Sequence, residues 1–198
     1  MPAICFLLSG AATFAALVPV LLLGFVALWS ILIYNGLVLA RNRTSEAWSG
    51  IDVQLKRRSS LIPNVVETVR GYAKHENDVF SDVAHARGAL AKAAGPAAAA
   101  VADQALTAAL GRLMAVAEAY PQLQAAGPFR QLQDELSDME EKVAYARQFY
   151  NQNVLAYNTR IQTFPGSLFA SAFHFVPSDF FKTDEAAAED VKVSFTTA

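Results

Sequence analysis

The feature that most constrains this chain is an apolar run from Ala16 to Gly36, ALVPVLLLGFVALWSILIYNG, which precedes the first charged side chain, Arg41. About 20 such residues are what a helix needs to cross a hydrocarbon core of roughly 30 Å, so the run reads as a transmembrane helix. Trp29, Ser30 and Tyr34 fall near its inner end, where amphipathic rings favour the lipid-water interface. A cleaved signal peptide is the alternative, but Met1 to Gly10 holds no Lys or Arg for the basic region such a peptide uses. Arg41 and Arg43 follow the span and nothing basic precedes it. The positive-inside rule therefore predicts an outside N-terminus and a cytoplasmic bulk.

Composition agrees with this division. Hydrophobic residues make up 54% and charged residues 17% of the 198 residues, too apolar for an ordinary soluble domain, and the excess sits at the front. The single cysteine, Cys5, rules out an intramolecular disulfide and lacks the small preceding residue of a lipidated cysteine. A net charge of −2 gives no footing for a nucleic-acid partner. The expected organisation is a short extracytoplasmic N-terminus (1–15), the span (16–36), a helical region (37–165), an aromatic segment (166–182) and a disordered acidic tail (183–198).

Beyond the span the apolar residues keep a helical period, with no alternation that would read as a strand. Gly127-Pro128 opens the clearest helix and Pro165-Gly166 follows it. Between them Phe129, Leu132, Leu136, Met139, Val143, Ala146, Tyr150, Asn153, Tyr157 and Phe164 form one stripe, as coiled-coil-like bundle packing requires. A preceding helix is expected from about Ala97 to Tyr120, with Val101, Leu106, Leu110, Leu113, Val116 and Tyr120 on its buried side, between Gly95-Pro96 and Pro121. Between Leu37 and Leu90, Pro63 either kinks one long helix or opens a new one after a reversal at Ser59-Ser60. A single helix of about fifty residues would leave half its stripe uncovered, so the split is the expectation. The fold class is then all-α, an N-terminal transmembrane helix followed by an antiparallel four-helix bundle of long helices.

Several separate stretches carry a further signal: Tyr34-Asn35, Ala47-Trp48, Asp52-Val53-Gln54-Leu55-Lys56-Arg57-Arg58, Leu61-Ile62-Pro63-Asn64, Ala119-Tyr120-Pro121, and Tyr150-Asn151 with Tyr157-Asn158 before Phe164-Pro165. On these the chain resembles the bacterial LemA family from Tyr34 to Phe181. The resemblance implies a single-pass protein of the bacterial inner membrane with a cytoplasmic four-helix bundle and no established enzymatic activity. The Ala-rich turn around Gly95 and the tail after Phe181 depart from the family pattern.

A di-iron site in such a bundle needs two Glu-x-x-His pairs, and only Asp82-Val83-Ala84-His85 approaches that spacing. Phosphate loops and nucleophile elbows are absent from the sequence, so no cofactor, no metal and no enzyme are expected. Lys56-Arg57-Arg58 reads as a solvated face. Asn153, on the stripe between Tyr150 and Tyr157, is expected to form a buried polar layer with them and with Asn35. Phe164 to Phe181 carries six phenylalanines, too many for a solvated tail. It either caps the bundle or enters a lipid interface or a partner, with Phe169, Phe173, Phe175 and Phe180 as candidate contacts. The expected partners are the lipid bilayer, an unidentified membrane protein and a homo-oligomer; the expected role is a scaffold or adaptor, with a ligand-sensing bundle as the alternative.

Overall fold

The computed structural model describes residues 2–182, with side chains described for Leu17 and from Pro19 onward; the tail 183–198 lies outside them. Six helices follow in order: α1 (Pro2–Tyr72), α2 (Asn77–Lys92), α3 (Pro96–Glu118), α4 (Pro121–Gln124), α5 (Gly127–Gln162) and α6 (Gly166–Ala172). Among the described residues every regular element is a helix.

The expected split at Pro63 does not occur. Proline in a helix interior removes one N–H and so strands the carbonyl four residues earlier, here that of Ser59. That carbonyl instead accepts a hydrogen bond from Arg87 Nε of α2 at 3.1 Å. The buried positions Ile51, Arg58 and Val65, spaced by seven, run through the proline without a phase change. The chain turns later, at 73–76, where the helix is weakened by Gly71 and ends on Arg70 in its last turn. Asp78 then lies in the first turn of α2 and Lys92 in the last, both matching the helix dipole. Gly95 opens α3 with φ +84°, a conformation glycine adopts without a steric penalty, and Pro96 takes the first helical position.

The chain divides into two compact units, the first formed by Met1–Ser45 and Leu155–Ser178, the second by Glu46–Val154 and Asp179–Ala198. In the second unit, α1, α2, α3 and α5 share one core that includes Ile51, Val65, Val83, Leu106, Leu113 and Phe129. Polar cross-links tie these helices together: Arg58 of α1 donates to Asp103 of α3 at 2.8 Å, Gln133 of α5 reaches the Met114 sulfur of α3 at 3.8 Å, and Arg112 of α3 pairs with Asp82 of α2 at 2.9 Å. Small residues Ala99, Ala100 and Ala102 face inward at the start of α3. Val101, expected inside, is therefore turned outward.

In the first unit Leu37, Ala40, Tyr157, Ile161, Ala170 and Phe175 form a separate cluster. Gly166 fits this cluster because it has no side chain: a Cβ there would overlap the carbonyl oxygen of Arg160. Helix α6 ends in a Schellman motif, with the Phe175 N–H on the Ala170 carbonyl at 2.9 Å and His174 at φ 55° where glycine is usual. From Val20 to Leu32 of α1, by contrast, nearly every apolar side chain is exposed. A long apolar helix with almost nothing burying it belongs in lipid, and the chain is a membrane-associated helical protein. Helix α3 is also long and apolar enough to span, but nearly half of it is buried in the second unit's core.

Candidate functional site

Two Tyr-Asn pairs on α5, seven residues apart, grip the extended segment that follows α6. In the first unit, Tyr157 Oη donates to the Val176 carbonyl at 2.8 Å. Beside it the Asn158 amide takes both backbone groups of Ser178, donating to its carbonyl at 2.9 Å and accepting from its N–H at 2.9 Å. In the second unit, Tyr150 Oη donates to the Asp179 carbonyl at 2.7 Å. Asn151 likewise takes the carbonyl of Phe181 at 3.1 Å and its N–H at 2.9 Å. An extended segment has no helical partners for its backbone, and side-chain amides supply them here.

Both tyrosines are buried. Burial, with the charge of Asp179 adding to it, pushes the Tyr150 phenol up to about 12. Burial also raises Tyr157, against an opposing pull from Arg41. Trp48 packs edge-on to Tyr150 at 5.9 Å and lies 6.5 Å from the Phe181 ring.

The polar layer differs from the expected one. Tyr150 and Tyr157 lie inside, but Asn153 is only half-buried, and its amide donates to the Phe149 carbonyl one turn back at 2.8 Å. Val154 takes the interior position between the tyrosines. Two residues seven apart fit either intermediate phase, and the aliphatic residue won the buried one. Asn35 is exposed, because α1 turns Leu37, Ala40 and Thr44 inward. Phe164 is 79% exposed, since α5 has ended at Gln162 and its helical phase no longer applies.

The candidate aromatic contacts divide. Phe175 is buried, with the Arg41 guanidinium 5.2 Å from its ring centre, and Phe169 is half-buried in the same cluster. Phe180 is half-buried against the second unit's core, and Phe181 is buried within it. Phe173 remains exposed.

A second polar constellation escaped the sequence reading. Lys56 and Arg57 are solvated as expected, but Arg58 is 2% exposed in the middle of the second unit. Its guanidinium bonds Asp103 of α3 at 2.8 Å and Glu140 of α5 at 2.9 Å, while Nε has no hydrogen-bond partner among the described residues. Burial raises the Asp103 carboxyl above its ordinary value and outweighs the opposing pull of Arg58. The signal was available: Arg58 stands seven residues from both Ile51 and Val65 on the buried stripe. Asp82, the acid of the Asp-x-x-His spacing, pairs with Arg112.

A model of the LemA family matches residues 47–195 of the chain. Among curated proteins, Magnetosome protein MamQ 1 and MamQ 2 of Paramagnetospirillum magneticum are each 28% identical over 179 residues, covering 77% of this chain and 66% of the relative. Magnetosome protein MamQ of Magnetospirillum gryphiswaldense is 27% identical over 174 residues, covering 75% of this chain and 64% of the relative. The chain thus spans just under two thirds of the length of these relatives.

Proposed function

The chain belongs to the LemA family, and on that premise we infer that it is a membrane-anchored helical scaffold or adaptor, not an enzyme, which engages another protein of the bacterial inner membrane. The observation that carries this reading is the division of labour along the chain. One end of α1 exposes an uninterrupted apolar surface, while the second unit packs a filled core whose strongest polar groups are spent on each other. A filled core with apolar surface left outside is what a scaffold needs; catalysis needs convergent, accessible reactive groups. The N-terminus lies outside and the second unit in the cytoplasm, on the strength of Arg41 and Arg43 after the span.

Affinity capture from cross-linked, detergent-solubilised membranes with the full chain as bait tests the role. One membrane protein should co-purify in fixed proportion, and recovery of the bait alone, or of copies of itself only, would sink the adaptor reading. A reporter fused after Ala198 should be active only when it is a cytoplasmic one.

One observation favours a ligand-sensing bundle as the second reading. A groove of about 650 Å³ in the second unit is lined by Gln54, Glu141, Lys142, Tyr145 and Phe149 among others, and Gln54 Oε1 is buried with no hydrogen-bond partner among the described residues. A small ligand donating a hydrogen bond to that oxygen would raise the melting temperature, and Gln54→Leu would abolish the rise.

A further inference from the structure

The first unit has an apolar surface that neither its own core nor the span accounts for. Helix α6 turns Gly166 and Ala170 inward. Phe164, Leu168, Phe173 and Val176, on and around it, are 56 to 79% exposed. These side chains surround the C-terminal end of the span. Tyr34 meets the Phe173 ring edge-on at 4.9 Å and the Phe175 ring at 5.9 Å, and Phe169 stacks on Phe173 with ring planes 2° apart. A cleft of about 240 Å³ runs between Ser30, Ile31 and Tyr34 of α1 and Phe169 and Phe173. Ile31 is therefore both a wall of this cleft and, with Leu28 and Leu32, part of the exposed surface of the span. The two apolar surfaces are continuous, so whatever solvates the end of the span also meets α6.

Charge in this unit has a single sign. Among residues 1–45 and 155–178 stand Arg41, Arg43 and Arg160 and no carboxylate, although the whole chain has 18 Asp and Glu and a net charge of −2. All three arginines are exposed. Arg160 donates to the Gly36 carbonyl at 3.2 Å, which sets one guanidinium at the level where the span ends. Apolar side chains beside exposed arginines, with no acid among them, match an interface of acyl chains and anionic headgroups.

We propose that α6, with Phe164, Phe173 and Val176, is a second membrane-contacting element, a short helix lying in the headgroup interface beside the end of the span on an anionic leaflet. This deepens the anchored-scaffold reading and rests on α1 spanning the bilayer. The bilayer is the occupant because the exposed surface of α6 continues that of the span. A protein partner or a second copy on the same face would have to displace lipid already in contact with Ile31.

The test uses the full chain with Cys5→Ser, reconstituted in vesicles of phosphatidylcholine with or without phosphatidylglycerol. A nitroxide is attached at one introduced cysteine per sample: Leu168→Cys, Phe173→Cys, Val176→Cys, Val26→Cys in the span, or Val101→Cys on the exposed side of α3. Collisions with oxygen, which concentrates in lipid, are compared with collisions with a nickel chelate, which stays in water. Position 26 should favour oxygen strongly and position 101 the chelate. At least two of positions 168, 173 and 176 should favour oxygen, less than position 26 does, with the preference growing when phosphatidylglycerol is present.

Chelate preference at these positions, equal to that at 101, overturns the proposal while leaving the anchor intact. Shielding from both reagents, with position 26 still in lipid, overturns it in favour of a protein occupant. Equal depth in both lipid mixtures overturns the anionic part, and loss of oxygen preference at position 26 overturns the anchor reading and the proposal with it.

Discussion

Replacing Asp103 by alanine isolates the energetics of the buried ion pair. Arg58 is 2% exposed and keeps its charge, so the variant leaves a guanidinium in the core whose remaining carboxylate partner, Glu140, has a side chain 54% exposed. Breaking a buried pair in this way costs about 3–5 kcal/mol. For a chain of this size that is about 6–20 °C in melting temperature. Glu140→Ala removes the solvated partner and should cost about 0–1 kcal/mol. The double replacement Arg58→Met with Asp103→Leu removes both charges; since burial of Asp103 outweighs its attraction to Arg58, the pair should be dispensable, and stability should equal or exceed the parent by up to about 4 kcal/mol. Denaturant melts of the full chain in detergent, followed by fluorescence of half-buried Trp48 against Trp29 as a reference, measure all four forms. Two results would refute the argument: Asp103→Ala no costlier than Glu140→Ala, or a double variant no more stable than Asp103→Ala.

Tyr150, whose phenol is raised from 10 to about 12, contributes stability that is fully present below pH 10 and lost as pH climbs through about 12. Tyr150→Phe should flatten the alkaline unfolding curve in that window, as circular dichroism will show. Asn158→Asp keeps an acceptor for the Ser178 N–H but faces the Ser178 carbonyl with a second acceptor; losing about 1–3 kcal/mol locally should speed amide exchange at Ser178 about 5- to 150-fold. Pro63→Ala restores the N–H that the Ser59 carbonyl lacks and should stabilise the chain by about 1–3 kcal/mol. Arg87→Gln, which removes the substitute donor, should cost about 1 kcal/mol in the parent and close to nothing beside Pro63→Ala, a coupling a double-mutant cycle reads directly.

The helices and the lipid-facing segment were legible because both announce themselves by hydrophobic pattern. Gly95-Pro96 and Gly127-Pro128 mark helix starts within a residue of those observed, α3 at Pro96 and α5 at Gly127. Pro63 misled because its cost depends on a partner elsewhere in the chain: only the fold brings Arg87 to the stranded carbonyl of Ser59. The uninterrupted spacing of Ile51, Arg58 and Val65 was the better guide, and it would also have exposed Arg58 as an inward charge among its solvated neighbours. The stripe points to Asn153 because that residue sits on it. The amides that act as clamps lie one residue off it, beside the tyrosines, where a helical pattern alone shows no reason for them.

The clamps also set which sequence changes the extended segment can absorb. Asn158 holds Ser178 by its N–H and carbonyl, both of them main-chain groups. The clamp itself therefore excludes only one residue type at position 178: proline, which has no N–H to give. Position 181 bears the same prohibition, narrowed further because the Phe181 ring is buried. Proline already stands next to the clamp at Pro177, whose nitrogen neither asparagine requires, and there it stiffens the segment without removing a bond. A mutational scan of residues 176–181 should thus read as a map of main-chain contacts, with proline as the reporting substitution.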